Sequence, residues 1–297
     1  MIERTPLLNA LTHFLLLLAL VLSILPIYIV FVASTHDLQT VNKVPMPLWP
    51  GDHMFENYQY VWNKAKFGEK LLNSLIVATA VTIGKITIAA LSAYSIVYFR
   101  YRFRMVFFWL IFITLMLPLE VRIVPTYAVA ADVLQPFRLI FEGLGFAIAM
   151  PEINLLNTYA GLILPLIATA TGTFLYRQFF MTIPDELAEA AKMDGAGAWR
   201  FLIDILLPLS RTNMAALATI MFVYAWNQYL WPLLITTNPA RATATMYLQK
   251  LVPGPAFGQP PVWNEAMAGT LLVMGPPLLV VIFMQRWFVR GLISTDK

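Results

Sequence analysis

Six separate stretches of this chain are apolar enough to cross a lipid bilayer as helices, and that property removes most folds from consideration. About 20 predominantly apolar residues cover the hydrocarbon core. The stretches lie at roughly 14–34, 72–99, 105–125, 156–176, 213–235 and 266–285. Lipid offers backbone groups no hydrogen-bond partner, so each stretch is expected as a helix. The fold class is therefore all-α: a polytopic membrane protein with six transmembrane helices, organised as a single domain over residues 1–297. Only 12% of the residues are charged, against roughly a quarter in soluble domains, which leaves no room for a sizeable soluble core. The first stretch is too long for the apolar segment of a signal peptide and lacks a small-residue cleavage site, so it reads as a retained anchor.

Lys and Arg set the orientation. If both termini are cytoplasmic, the inner pieces are 1–13, 100–104, 177–212 and 286–297, and these short pieces hold 11 of the 20 basic residues. The density there is about twice that of the longer outer loops, which favours cytoplasmic N and C termini. The net charge of +4 therefore reads as topology rather than affinity for nucleic acid, even at the sharpest cluster, Arg100, Arg102 and Arg104 in "RYRFR". Outer loops such as "NKVPMPLWPGDH" and "VPGPAFGQPPVW" are broken by Pro and Gly and look suited to contacts outside the membrane. The segment 126–155, with "FEGLGFAIAMP", is apolar but too short to span and reads as interfacial or re-entrant.

Little chemistry is available. Zero cysteines exclude disulfides and thiolate metal sites, and His13, His36 and His53 are too scattered for a metal cluster. No metal site and no catalytic residue is expected. A nucleotide loop would need GxxxxGK[ST], but Gly84-Lys85 has Thr79 at the first glycine and Ile86 after the lysine.

The least membrane-like stretch is "MTIPDELAEAAKMDGAGAWRFLIDILLP", residues 181–208. Thr182, followed three residues later by Asp185, resembles a capping box, and Pro184 suits a first helical turn. Leu187, Ala190 and Ala191 share a helical face, and Asp194-Gly195 is a natural stop. Trp199, Leu202, Ile203 and Leu206 then follow the i, i+3, i+4, i+7 pattern of a second amphipathic helix. A helix lying on lipid is one reading. The acid-rich first piece, with Asp185, Glu186, Glu189 and Asp194, suits an anionic leaflet poorly and a soluble partner's groove better.

The run Glu189-Ala190-Ala191, three residues, Gly195, nine residues, Ile205, one residue, Leu207-Pro208 resembles the EAA motif of the permease subunits of bacterial ABC importers. The resemblance implies that loop 182–208 is a cytoplasmic coupling helix seated in a partner ATPase, with Glu189, Ala190, Ala191, Asp194, Gly195, Ile205, Leu207 and Pro208 as coupling residues. Six spans, a long first outer loop and "WNQYLWPLL" are similar to the second permeases of the carbohydrate-type, maltose-permease-like group. Within it, "IGKIT", "MLPLEVRIVPT", residues 176–182 and "MQRWFVRGL" are closest to the importers of sn-glycerol 3-phosphate. The stretch 133–154 is longer than that group leads one to expect. The resemblance further implies a bacterial inner-membrane location, a second homologous permease subunit, an ATPase dimer that binds ATP and Mg, and a periplasmic or extracellular substrate-binding protein. No cofactor of this chain's own and no nucleic-acid partner is implied. Alternatives are an ABC permease for a neutral sugar or oligosaccharide and an ion-coupled secondary transporter.

Candidates for the substrate path are polar residues inside apolar runs. Lys85 lies about 14 residues, roughly 21 Å, from either end of its span, too deep for easy snorkelling. It reads either as a structural ion pair or carbonyl contact, or as an attractor of an anionic substrate. Arg122, between Pro118 and Pro125, reads as an interfacial anchor or a phosphate fork, and Glu120 two residues away does not share its helix face. Asn227, Gln228 and Tyr229 read as part of the headgroup belt or as a polar patch lining the path.

Overall fold

The computed structural model describes residues 6–63, 66–114, 117, 119–146, 148–251 and 261–293, and among them there is no β-strand. In chain order the helices are α1 (Pro6–Ser34), α2 (Leu38–Val41), α3 (Met54–Asn63), α4 (Phe67–Tyr98), α5 (Arg104–Ile113), α6 (Leu119–Ala131), α7 (Gln135–Gly143), α8 (Tyr159–Ile167), α9 (Ala170–Phe180), α10 (Asp185–Met193), α11 (Ala198–Leu209), α12 (Arg211–Trp226), α13 (Leu230–Ile235), α14 (Ala244–Leu251) and α15 (Trp263–Ile293). They fall into two units, Met1–Glu69 with Tyr247–Gly275, and Lys70–Met246 with Pro276–Lys297.

In the first unit α1 buries only its last residues, Val32, Ala33 and Ser34. Leu7, Phe14, Leu16 and Val21 stand more than half exposed along the rest of it. So long an apolar surface is untenable in water and natural in lipid. The end of α1 is pinned by buried Asn57 of α3, whose Nδ2 donates to the carbonyls of Ser34 at 2.9 Å and His36 at 2.8 Å. Asn264, at the start of α15, donates to Asn57 Oδ1 at 2.8 Å, so one amide ties three segments.

The second unit is built on α4. Its residues Val77, Ala78 and Val81 pack with Leu162 and Leu166 of α8, Phe222 and Trp226 of α12, and Trp231 and Ile235 of α13. Small residues set the approach, as they do between helices in membranes. A Cβ on Gly84 would meet Ile167 at 2.8 Å, and one on Gly172 would meet Ala89 at 2.9 Å. α4 thus lies across the junction of α8 and α9, carrying Lys85 there. A polar clasp holds the segment 239–244 to the same helix. Asn73 Nδ2 donates to the carbonyls of Ala240 and Ala242 at 2.9 and 3.0 Å, Tyr159 donates to Asn73 Oδ1 at 2.7 Å, and Lys70 donates to the Pro239 carbonyl. Asn73→Ala strips partners from several buried groups at a cost of about 1–3 kcal/mol each. A fall of several degrees in the melting temperature of the purified protein is expected, and an unchanged melting curve would show that the clasp contributes nothing.

Among the described residues three helices are long and apolar enough to cross a membrane, α1, α4 and the Trp263–Arg286 part of α15, or up to five if each bent pair is one span. They cover the stretches expected at 14–34, 72–99 and 266–285. The other expected spans are interrupted. The one expected over 156–176 is α8 plus α9, bent by 46°. Thr169 stops it in mid-course: its side chain accepts from the Gly172 N–H and so caps a new helix. The stretch 213–235 is divided between α12 and α13. The span expected over 105–125 is divided too, with α5 ending at Ile113 and α6 running from Leu119 through Pro125 to Ala131. Leu117 lies in a bend, and a residue preceding a proline, here Pro118, is pushed out of helical conformation. Segment 126–155 contains the end of α6 and α7, and is drawn back towards α6 where Leu155 N donates to the Ala130 carbonyl at 2.9 Å. Most of the turn-rich stretch "VPGPAFGQPPVW", residues 252–260, and the side chains of Glu120 and of 287–293 in "MQRWFVRGL" lie outside the described residues.

Candidate functional site

Two features of the second unit carry functional groups, a cavity and a polar loop. The cavity, of about 440 Å³, is walled by α4, α5, α6, α12 and the α8–α9 junction, and Lys85, Arg122, Thr169, Thr171, Thr173 and Tyr224 line it. Its volume lies within the roughly 300–1,000 Å³ of small-molecule sites. Lys85 is 94% buried, being only 6% exposed, and its ammonium stands 4.3 Å from the centre of the Tyr224 ring. The ring face stabilises the cation but supplies no hydrogen-bond acceptor. Arg122 faces the same space, and its Nε is buried without a hydrogen-bond partner. The two cations repel one another, and no carboxylate is among the described lining residues. Uncompensated positive charge this deep in a membrane protein calls for an anion.

The structure therefore places Lys85 and Arg122, 37 positions apart in sequence, on one cavity. Asn227, Gln228 and Tyr229 stand outside its lining, at the break between α12 and α13, where Gln228 Nε2 donates to the Tyr224 carbonyl at 3.3 Å. Thr169, Thr171 and Thr173 were not singled out from the sequence. The signal was present in "ATATGT", residues 168–173, where a threonine that can cap a helix interrupts an apolar run.

In the polar loop, α10 ends in a Schellman turn. Gly195 adopts φ +73°, its N–H donates to the Lys192 carbonyl at 3.1 Å, and Ala196 N–H donates to the Ala191 carbonyl at 2.8 Å. Gly195 is the expected stop, here with its geometry. The capping box is absent. Thr182 instead closes α9, its hydroxyl donating to the Phe179 carbonyl at 2.7 Å, and Pro184 takes the position before α10. The second amphipathic face also differs. Leu202 and Leu206 are buried as expected, but Phe201 joins them while Trp199 and Ile203 are exposed. Residues 201–206 wind as a π-helix, wider than the 3.6-residue period assumed, just before Pro208, which has no N–H to give.

The loop is anchored by a cluster in which Tyr94 and Tyr98 of α4, Phe180 of α9 and Phe201 pack together. Tyr94 also donates to the Ala198 carbonyl at 2.9 Å. The outer surface carries Glu189, Ala190 and Asp194, all exposed, beside Leu187, Met193, Trp199 and Ile203. Ala191 is buried, and Ile205, Leu207 and Pro208 are partly covered.

Apolar helices of the second unit lining a charged cavity, with a polar helical loop fixed to two of them, form an arrangement suited to a membrane transport subunit. Residues 85–294 match the family described as binding-protein-dependent transport system inner membrane component, and the chain belongs to that family. It is 48% identical over 303 residues to the sn-glycerol-3-phosphate transport system permease protein UgpE of Yersinia pestis bv. Antiqua (strain Antiqua), covering 100% of both chains. It is likewise 48% identical over 304 residues to the protein of the same name from Pectobacterium atrosepticum, again covering 100% of both. Its fold is similar to a chain in the crystal structure of a bacterial ABC transporter involved in the import of the acidic polysaccharide alginate, with TM-score 0.72, 23% identity, and coverage of 97% of this chain and 99% of that one. The chain is thus a multi-pass inner-membrane component of a binding-protein-dependent transport system.

Proposed function

We propose that this chain is the second permease subunit of an ATP-driven importer of sn-glycerol 3-phosphate, with glycerophosphodiesters as the next substrates to test. The full-length identity to permeases named for that transport carries the reading. The cavity supports it, because Lys85 and Arg122 supply the charge a phosphate ester requires. The proposed assembly has a second homologous permease, two ATPase copies holding ATP and Mg on the cytoplasmic side, and a substrate-binding protein on the other. Both termini are cytoplasmic in this arrangement, and residues 1–297 act as one permease domain.

Glu189, Ala190, Ala191, Asp194, Gly195, Ile205, Leu207 and Pro208 are assigned to ATPase coupling. Exposed Met193 and Trp199 support this, since such side chains on a polar loop suit a protein groove. Closure of the ATPases moves the loop, and the helices alternate between inward-facing and outward-facing states. Each ligand must favour one state, because equal affinity for both shifts nothing. α4 and α9 each reach from the cavity to the aromatic cluster beneath the loop, so motion there has a short, packed route to Lys85 and Thr169. Asn227, Gln228 and Tyr229 are assigned to the substrate path beyond the cavity.

The test is uptake of labelled sn-glycerol 3-phosphate by cells lacking this chain and complemented with it, with maltose and glycerophosphocholine as competitors. Uptake is expected to be restored and maltose to leave it unchanged. An assembled, ATP-hydrolysing complex that carries maltose and no glycerol phosphate would make this a neutral-sugar permease.

A further inference from the structure

We infer that the break in the fourth span completes a seat for a phosphoryl group, in which the first turn of α9 joins Lys85 and Arg122 to hold a phosphomonoester dianion. The inference rests on the proposed function and adds to it a binding element that lies in the backbone. The N–H groups of a helix's first turn have no intrahelical acceptor and bear the positive end of the helix dipole. In α9, Thr169 takes the Gly172 N–H through its side chain at 3.2 Å, leaving those of Ala170 and Thr171, and both residues line the cavity. An uninterrupted fourth span would have spent these groups on its own hydrogen bonds. The break places them where two cations already converge.

The second observation is independent of the helix. Lys85, nine-tenths buried, faces this cavity with the Tyr224 ring against it and no hydrogen-bond acceptor among the described residues, and Arg122 keeps a buried Nε unmatched. Two full charges and a helix end suit a dianion better than a monoanion. The seat therefore selects a monoester over a diester or a neutral sugar. An anionic lipid headgroup offers the same chemistry, so the experiment separates the two sources.

The importer, reconstituted with its ATPase, second permease and binding protein, is assayed for sn-glycerol 3-phosphate uptake in phosphatidylcholine and in phosphatidylglycerol vesicles. Ala170→Pro deletes one N–H at the helix position where proline is favoured. Thr169 already has φ −147° and ψ 112°, the extended conformation that a residue before proline adopts. Ala170→Val adds comparable bulk and keeps the N–H, which controls for crowding at a residue only 8% exposed. Ala170→Pro is expected to raise KM about tenfold in both lipids, the loss of one hydrogen bond to a charged group, and Ala170→Val by less than about threefold. Equal shifts for the two variants, or none for either, would overturn the seat. An effect confined to phosphatidylglycerol would give the seat to lipid and overturn its assignment to substrate. Wild type that hydrolyses ATP but imports no glycerol phosphate would instead overturn the reading on which the seat rests.

Discussion

Gly195→Val is expected to cut substrate uptake at least tenfold while the importer still assembles and its ATPase still turns over. Gly195 sits at φ +73°, where an L-residue loses about 1–2 kcal/mol and a β-branched one more. A Cβ there would meet nothing within 4 Å, so the defect comes from the backbone alone. The valine pulls φ back to negative values, and the Schellman hydrogen bonds from Gly195 and Ala196 to the Lys192 and Ala191 carbonyls are lost. α10 then leaves the bend at a different angle from α11. α11 is held through Phe201 and Tyr94, so the misplacement falls on the exposed α10 surface. Gly195→Asn is the decisive companion, because asparagine tolerates the left-handed conformation. It should keep most of the uptake. If Asn fails as badly as Val, the missing side chain matters rather than the turn. If Val transports normally, the turn is not a coupling element.

That turn was legible in the sequence because its geometry depends only on neighbours. Acidic residues opening a helix, a glycine closing it and a small residue after it suffice to specify residues 185–196. The apolar runs that became α1, α4 and α15 were legible for a similar reason, since lipid constrains each of them alone. Reading failed where two local signals competed for one residue. Thr182 could cap α10 or close α9, and because α9 runs on to Phe180, closing won. It failed again where a fixed period was assumed, as the wide turns of 201–206 rotated Trp199 and Ile203 to the outside. The break at Thr169 was concealed by the apolar residues around it, which satisfy a continuous span equally well. Lys85 and Arg122 were each conspicuous as charges in apolar runs. Their sharing of one cavity is a tertiary fact, set by Gly84 against Ile167 and by the course of α6.

Lys85→Met is the second large effect expected, and it separates two roles for the lysine by the sign of a stability change. If Lys85 were a structural ion pair, removing it would strand a buried partner and destabilise the protein by about 3–5 kcal/mol. No such partner stands among the described residues. The ammonium has the Tyr224 ring at 4.3 Å and the repulsive Arg122 on the same cavity. A buried cation held in that setting costs at least about 2.5 kcal/mol even on the most lenient membrane scale. Methionine keeps the length and the packing without the charge. The variant should therefore melt at the same or a higher temperature than wild type while its glycerol phosphate uptake falls at least a hundredfold, the loss of a charge-assisted contact worth about 3 kcal/mol. Lys85→Arg, which keeps the charge on a longer and planar head, should recover part of the uptake with a raised KM. A lower melting temperature for Lys85→Met would return the residue to a structural role. Normal melting with normal uptake would leave phosphate recognition to Arg122 and the first turn of α9. The predicted combination of retained stability and lost transport is what a site produces when its charge is matched only by the substrate it carries.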